Sequence, residues 1–96
     1  MKLIVAIINR GYAEELMSAA RTAGASGGTI LNAKGTGTEE HAEFFGISLA
    51  PEKEMLMIVA SSEDTPNIVQ TIKNQAVFNE RGAGIIFTLN IEEAFL

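Results

Sequence analysis

A chain of 96 residues is one domain's worth of sequence; it buries a modest core and leaves surplus apolar surface for an oligomer. Its 47% hydrophobic content excludes a disordered chain. The absence of cysteine removes disulfides, zinc clusters and thiol nucleophiles together, and it suits a reducing cytoplasm. With a net charge of −5, and seven Lys and Arg scattered along the chain, nucleic acid is not an expected partner.

Residues 3–8 are apolar at every position and rich in β-branched side chains, the pattern of a central strand. Asn9-Arg10 ends the run too early for a signal peptide, and no apolar run approaches a membrane span, so no direct membrane insertion is expected. After Gly11, Tyr12, Leu16, Ala19, Ala20 and Ala23 recur at helical spacing. Glu14 and Glu15 in the first turn and Gly24 as the stop bound a helix over about 12–23. Gly27-Gly28 opens a second strand over 29–33, and Gly35-Thr36-Gly37 closes it.

Residues 38–51 form the longest connection. Thr36 with Glu39 fits a capping box, and no Gly or Pro follows until Gly46, so a short helix is expected over 38–45. Residues 55–60 read as a third strand, apolar on both faces. Thr65-Pro66 reads as N-cap and first residue of a second helix with Ile68, Val69, Ile72 and Ala76 on its buried stripe. A loop over 77–84 holds Arg81-Gly82-Ala83-Gly84. Residues 85–89 are the fourth strand, and 91–96 a short apolar tail.

The order β-α-β-β-α-β is the split βαβ arrangement: an α+β, ferredoxin-like sandwich with a four-stranded antiparallel sheet, in one domain over 1–96. Right-handed crossovers place both helices on one face of the sheet. The other face would then be bare and apolar, which argues for self-association through it.

Several motifs carry two readings. Gly35-Thr36-Gly37 is a phosphate or ligand cradle, or, as a lone GxG more simply, a turn. Arg81-Gly82-Ala83-Gly84 is a second cradle with a phosphate-binding Arg, or a flexible connection with one solvated Arg. Strands two and four lie at sheet edges, so an oligomer would bring the glycine loops of neighbouring subunits together. Glu39, Glu40, His41 and Glu43 contain the only His; a solvated acidic loop is preferred to a metal site. Phe44-Phe45-Gly46-Ile47 either folds onto the core, the preferred reading, or forms a partner-binding tip. Arg10 before the first helix would be an anion site of the acylphosphatase kind, against a plain polar loop.

Taken in order, "MKLIVAIINRGYAEELMSAARTAG", "GGTILNAKGTG", "EKEMLMIVA" and "RGAGIIFTLNIEEAF" resemble the opening strand and helix, the T-loop base, the strand leaving the T-loop, and the B-loop with last strand of PII nitrogen-regulatory proteins. The "FFGISLAPEKE" stretch resembles short, divergent PII-like members. The resemblance implies a cytoplasmic homotrimer that is not an enzyme and requires no cofactor. It implies an effector site in each cleft between subunits, with Thr29, Gly35, Thr36 and Gly37 on one side and Arg81, Gly82 and Gly84 on the other. It also implies a regulated protein target, such as a membrane transporter or a metabolic enzyme, met by residues 38–51 with Glu40, His41, Phe44 and Phe45.

The sequence departs from the family pattern at Ile85, where a phosphate-binding Lys is usual, and at Thr38-Glu39, where Arg-Gln is usual. An adenine nucleotide (ATP, ADP or AMP) is therefore expected to be a weakly held effector. The only tyrosine is Tyr12, outside the loop, which excludes uridylylation of a loop tyrosine. Two other readings stand beside this one: a small ferredoxin-fold enzyme of acylphosphatase type using Arg10, and a structural oligomer with a decayed ligand site.

Overall fold

The first apolar run extends by a residue at each end into β1 (Lys2–Asn9). The computed structural model describes residues 1–36, 42–44, 47–49, 52–79 and 84–96. Helix α1 (Ala13–Thr22) buries Ala13, Leu16, Met17 and Ala20, three and four residues apart. Its end is a Schellman motif: Gly24, at φ +115, donates its N–H to the carbonyl of Arg21, and Ala25 donates to that of Ala20.

Strand β2 (Thr29–Lys34) leads to a hairpin of β3 (Ala42–Phe44) and β4 (Ile47–Leu49), paired Ala42 to Leu49 and Phe44 to Ile47. The helix expected over 38–45 is thus corrected at 42–44, which are strand; residues 38–41 and 45 lie outside the described residues. Cross-strand pairing of 42–44 with 47–49 over-rides the local capping-box signal.

Strand β5 (Glu52–Ala60) begins three residues earlier than its apolar run suggests. Helix α2 (Thr65–Lys73) follows, with Pro66 in its first turn. Its cap position is Asp64 rather than Thr65. The Thr65 hydroxyl turns back and donates to the Ser61 carbonyl at 2.7 Å, and it is buried. Ala76 falls outside α2, in a 3-10 helix (Ala76–Asn79), before β6 (Gly84–Asn90).

The main sheet runs β2-β5-β1-β6, antiparallel throughout, with α1 and α2 across one face. This is the ferredoxin-like arrangement. Alternation then sorts the side chains. Ile4, Ala6 and Ile8 of β1 and Leu56 and Ile58 of β5 meet Leu16, Met17 and Ala20 of α1 and Ile68 and Ile72 of α2 in the core.

The opposite parity forms continuous rows across the second face: Leu89-Leu3-Val59, Phe87-Val5-Met57-Thr29 and Ile85-Ile7-Met55-Leu31. Among the described residues, no helix lies over these rows. Val5 is 4% exposed because its neighbours in the sheet shield it, but Ile85 stands 57%, Leu89 51%, Leu31 45% and Phe87 41% exposed. Burying side chains of this size contributes about 1.5–3 kcal/mol each, so a face this apolar is strongly driven towards a cover. Among the described residues, no helix is long and apolar enough to cross a membrane.

Candidate functional site

Asn9, Arg10, Glu52, Lys53 and Glu54 gather at one end of the sheet. β1 and β2 run towards it, while β5 and β6 start from it, because neighbouring strands are antiparallel. There the bare face closes into a cleft of about 400 Å³. Residues 33–36 line it from the end of β2, Lys53 and Met55 from β5, Ile7 from β1, and Gly84 and Ile85 from β6.

Gly35, Thr36 and Gly84 thus line one cleft within a single subunit, from the two edges of the sheet, with the row Ile85-Ile7-Met55 across it. Thr29 does not line this cleft; it pairs with Met57, further along the sheet. Gly37, Glu40, His41, Phe45, Arg81 and Gly82 lie outside the described residues, and Phe44 is known as a backbone position in β3.

Gly84 is required by packing. A Cβ there would stand 2.7 Å from Ile8 Cγ2, 2.9 Å from the Ile7 carbonyl oxygen and 3.0 Å from Phe78 Cε1. The backbone of β6 therefore lies flush against β1 where it meets the cleft.

Two cations, Lys34 and Lys53, line the cleft. Lys53 is 8% exposed and donates to Asn9 Oδ1 at 2.6 Å, so its ammonium is held at the junction of β1 and β5. Neither lysine stands among the candidate site residues read from the sequence: Lys53 precedes the apolar run that starts at Met55, and Lys34 precedes the Gly35 motif. The strand alternation of Lys53 with Met55 and Met57 was the available signal.

Behind the cleft, a smaller cavity of about 150 Å³ is lined by Arg10, Asn32, Ala33, Lys34, Glu52 and Lys53. Arg10 Nη1 is ion-paired with Glu52 Oε2, and Glu52's hydrogen bond and charge raise the guanidinium pKa above its ordinary value. Both side chains are well exposed, so the pair adds little stability. Glu54 reaches the same turn from the helix side: its Oε1 accepts the N–H of Gly11 at 2.7 Å and of Ala13 at 3.2 Å. The backbone donors that would hold an anion before α1 are therefore occupied by the chain's own carboxylate. Among the described residues, no group of three or more His, Cys, Asp and Glu is placed to hold a metal.

Sheet order, paired crossover helices and the long β2–β5 connection define a ferredoxin-like fold of the class used by small signalling regulators. The model of the family described as nitrogen regulatory protein P-II matches residues 1–96. The chain is 35% identical to nitrogen regulatory protein P-II 2 of Methanothermobacter thermautotrophicus, over 97% of this chain and 85% of that protein. It is 31% identical to nitrogen regulatory protein P-II of Rhizobium meliloti, over 97% and 88% of the two chains. It is also 31% identical to nitrogen fixation nifHD region GlnB-like protein 1 of Methanobacterium ivanovii, over 99% and 91%. The chain belongs to the P-II family of nitrogen regulatory proteins, and its function is a regulatory, signal-transducing one.

Proposed function

We propose that residues 1–96 act as one unit in a cytoplasmic homotrimer, that each cleft takes a small anionic effector, and that residues 38–51 engage a regulated protein such as a membrane transporter or a metabolic enzyme. The observation that carries the effector site is that Gly35, Thr36 and Gly84 line one cleft on the bare sheet face. Backbone N–H groups in glycine turns meet anionic oxygens without a side chain's help, and Lys34 and Lys53 supply positive charge beside them. Gly37, Arg81 and Gly82 complete the contact in this reading, and Thr29 belongs to its outer margin. Glu40, His41, Phe44 and Phe45 form the docking tip.

The trimer is supported by the apolar rows across the face that no helix covers among the described residues, and it is the typical assembly of the family. Packing those rows against neighbouring copies turns each sheet-end cleft into one bounded by two subunits.

The effector is an adenine nucleotide, held weakly, with the less charged forms doing comparatively better. Ile85 lies where a cation would answer a terminal phosphate, so each added phosphate charge goes without a partner on that side. The acylphosphatase reading is opposed by Glu54, which occupies the Gly11 and Ala13 donors, and by Glu52, which engages Arg10. Isothermal titration with ATP, ADP and AMP tests the effector reading. Weak binding with ATP not favoured over AMP is expected; micromolar ATP binding well above AMP refutes that ranking, and no binding by any of the three refutes the nucleotide.

A further inference from the structure

Strand β2 is an outer edge of the sheet: the order β2-β5-β1-β6 gives it β5 on one side only. Along Thr29–Lys34 the backbone N–H and C=O groups that point outward meet no strand among the described residues. Such an edge is a template for another extended chain, and proteins usually blunt it with charge, Pro or a bulge. Here the register with β5 runs unbroken from Thr29 to Lys34, and the edge holds no Pro and no charge before Lys34.

A groove of about 320 Å³ lies beside this edge, lined by Glu14, Met17 and Arg21 of α1 and by Gly28 and Ile30. The three helix residues follow the i, i+3, i+7 spacing and so share one side of α1. Ile30 pairs with Leu56 of the core, which turns it to the helix side of the sheet, yet it stays 37% exposed. Gly28 lets the entry to β2 lie close on Met17, whose Sδ would stand 2.8 Å from a Cβ there. The middle of the groove is thus apolar, with an acid towards one end and a base towards the other. Neither Glu14 nor Arg21 has an ion-pair partner among the described residues.

We infer that a protein partner adds an extended segment as a further strand along the outer edge of β2, with an apolar side chain over Met17 and Ile30, a basic one beside Glu14 and an acidic one beside Arg21. Main-chain hydrogen bonds to the open edge hold the segment, and the two charges select it. The spacings agree. Glu14 and Arg21 stand about 10 Å apart along the helix axis, and strand residues four apart rise about 13 Å, a difference that long side chains span. The segment therefore alternates, with its basic, apolar and acidic residues at every second position on one face. The groove shares no lining residue with the sheet-end cleft, and the inference does not rest on the effector or trimer readings above.

A labelled peptide in which Lys, Val and Glu alternate with Thr is the probe, followed by fluorescence anisotropy. It should bind several-fold more tightly than peptides with Lys at both charged positions or Glu at both. Arg21→Glu, an exposed change whose fold is checked by circular dichroism, should invert that order in favour of the peptide with two Lys. N-methylation of Val and of the Thr after it removes a donor whichever edge of the peptide faces β2, and should abolish binding. Amide exchange over residues 29–34 should slow in the complex. Failure of every peptide to bind, equal binding by the three charge patterns, an order unchanged in Arg21→Glu, undiminished binding of the N-methylated peptide, or binding without protection of residues 29–34 overturns the inference.

Discussion

Glu54 reaches back along the sequence to cap the turn that begins at Gly11. The Gly11 N–H donates to the Glu54 carboxylate at 2.7 Å, from a turn that otherwise offers α1 no side-chain cap. Tyr12 stands at the cap position and provides none, so a strand residue does the work that a Ser or Asp beside the helix usually does. Glu54→Ala should therefore lower the unfolding free energy by about 1–2 kcal/mol, while Glu54→Gln, which keeps an acceptor oxygen, should lose about half of that. Urea unfolding of the three proteins at one concentration measures it. Equal losses for both substitutions would mean that charge at the helix N-terminus, rather than the hydrogen bond, does the stabilising.

Neighbouring glycines at the entry to β2 should respond in opposite ways. A Cβ at Gly27 meets nothing within 4 Å, whereas at Gly28 it lies 2.8 Å from Met17 Sδ and 2.9 Å from the Met57 carbonyl oxygen. The sulfur can swing aside, but the carbonyl belongs to β5 and cannot. Gly28→Ala is expected to cost about 1–3 kcal/mol, as overpacking does, and Gly27→Ala to stay within about 0.5 kcal/mol of the parent. Thermal unfolding of the pair is sufficient to see the difference.

Phe87 lies on the bare sheet face, in the row with Val5 and Met57, and is 41% exposed in the single chain. Phe87→Glu should abolish self-association and leave a folded monomer, because the side chain makes no contact with the helix-side core. Sedimentation gives the mass and circular dichroism the fold. A variant that remains a trimer would place the interface elsewhere.

Ile85 contributes 57% of its surface to solvent at the cleft, so a longer polar side chain fits without disturbing the core. Ile85→Lys should strengthen ATP binding by about tenfold, the worth of one charge-assisted contact, and AMP binding by less. Titration calorimetry of both nucleotides against both proteins reads the ratio.

Arg10 is engaged with Glu52, and the donors behind it are engaged with Glu54. Neither the parent nor Arg10→Ala should hydrolyse an acyl phosphate above the rate in buffer. Hydrolysis by the parent that is lost in Arg10→Ala would reinstate the enzymatic reading.

Apolar periodicity was enough to locate β1, α1, α2 and the bare face, because those patterns are written in neighbouring residues. The failures share one cause, which is pairing across distance. Ala42-Glu43-Phe44 read as helix from a cap signal a few residues upstream, yet its partners are Ile47-Ser48-Leu49, and nothing local announces them. Glu52-Lys53-Glu54 lie between Pro51, where the long connection ends, and the apolar run that starts at Met55, so the apolar run alone leaves them out of the strand. Each of the three is accommodated by a different neighbour: Arg10, Asn9 and the Gly11 turn. The glycine motifs at 35–37 and 82–84 were visible as motifs. That Gly35 and Gly84 line one cleft follows only from the sheet order, which sets β2 and β6 at opposite edges but brings the end of β2 and the start of β6 to the same end of the sheet.

The opening residues of β5 form a mechanical junction. Glu52 and Glu54 grip the turn ahead of α1, Lys53 lines the cleft, and the hairpin-bearing connection enters the sheet at Glu52. Three consecutive residues thus tie together the cleft, a helix and the root of the longest excursion of the chain. Substitutions at Glu52, Lys53 or Glu54 should therefore disturb the cleft, the turn before α1 and the start of β5 together, which sets this short stretch apart from the core.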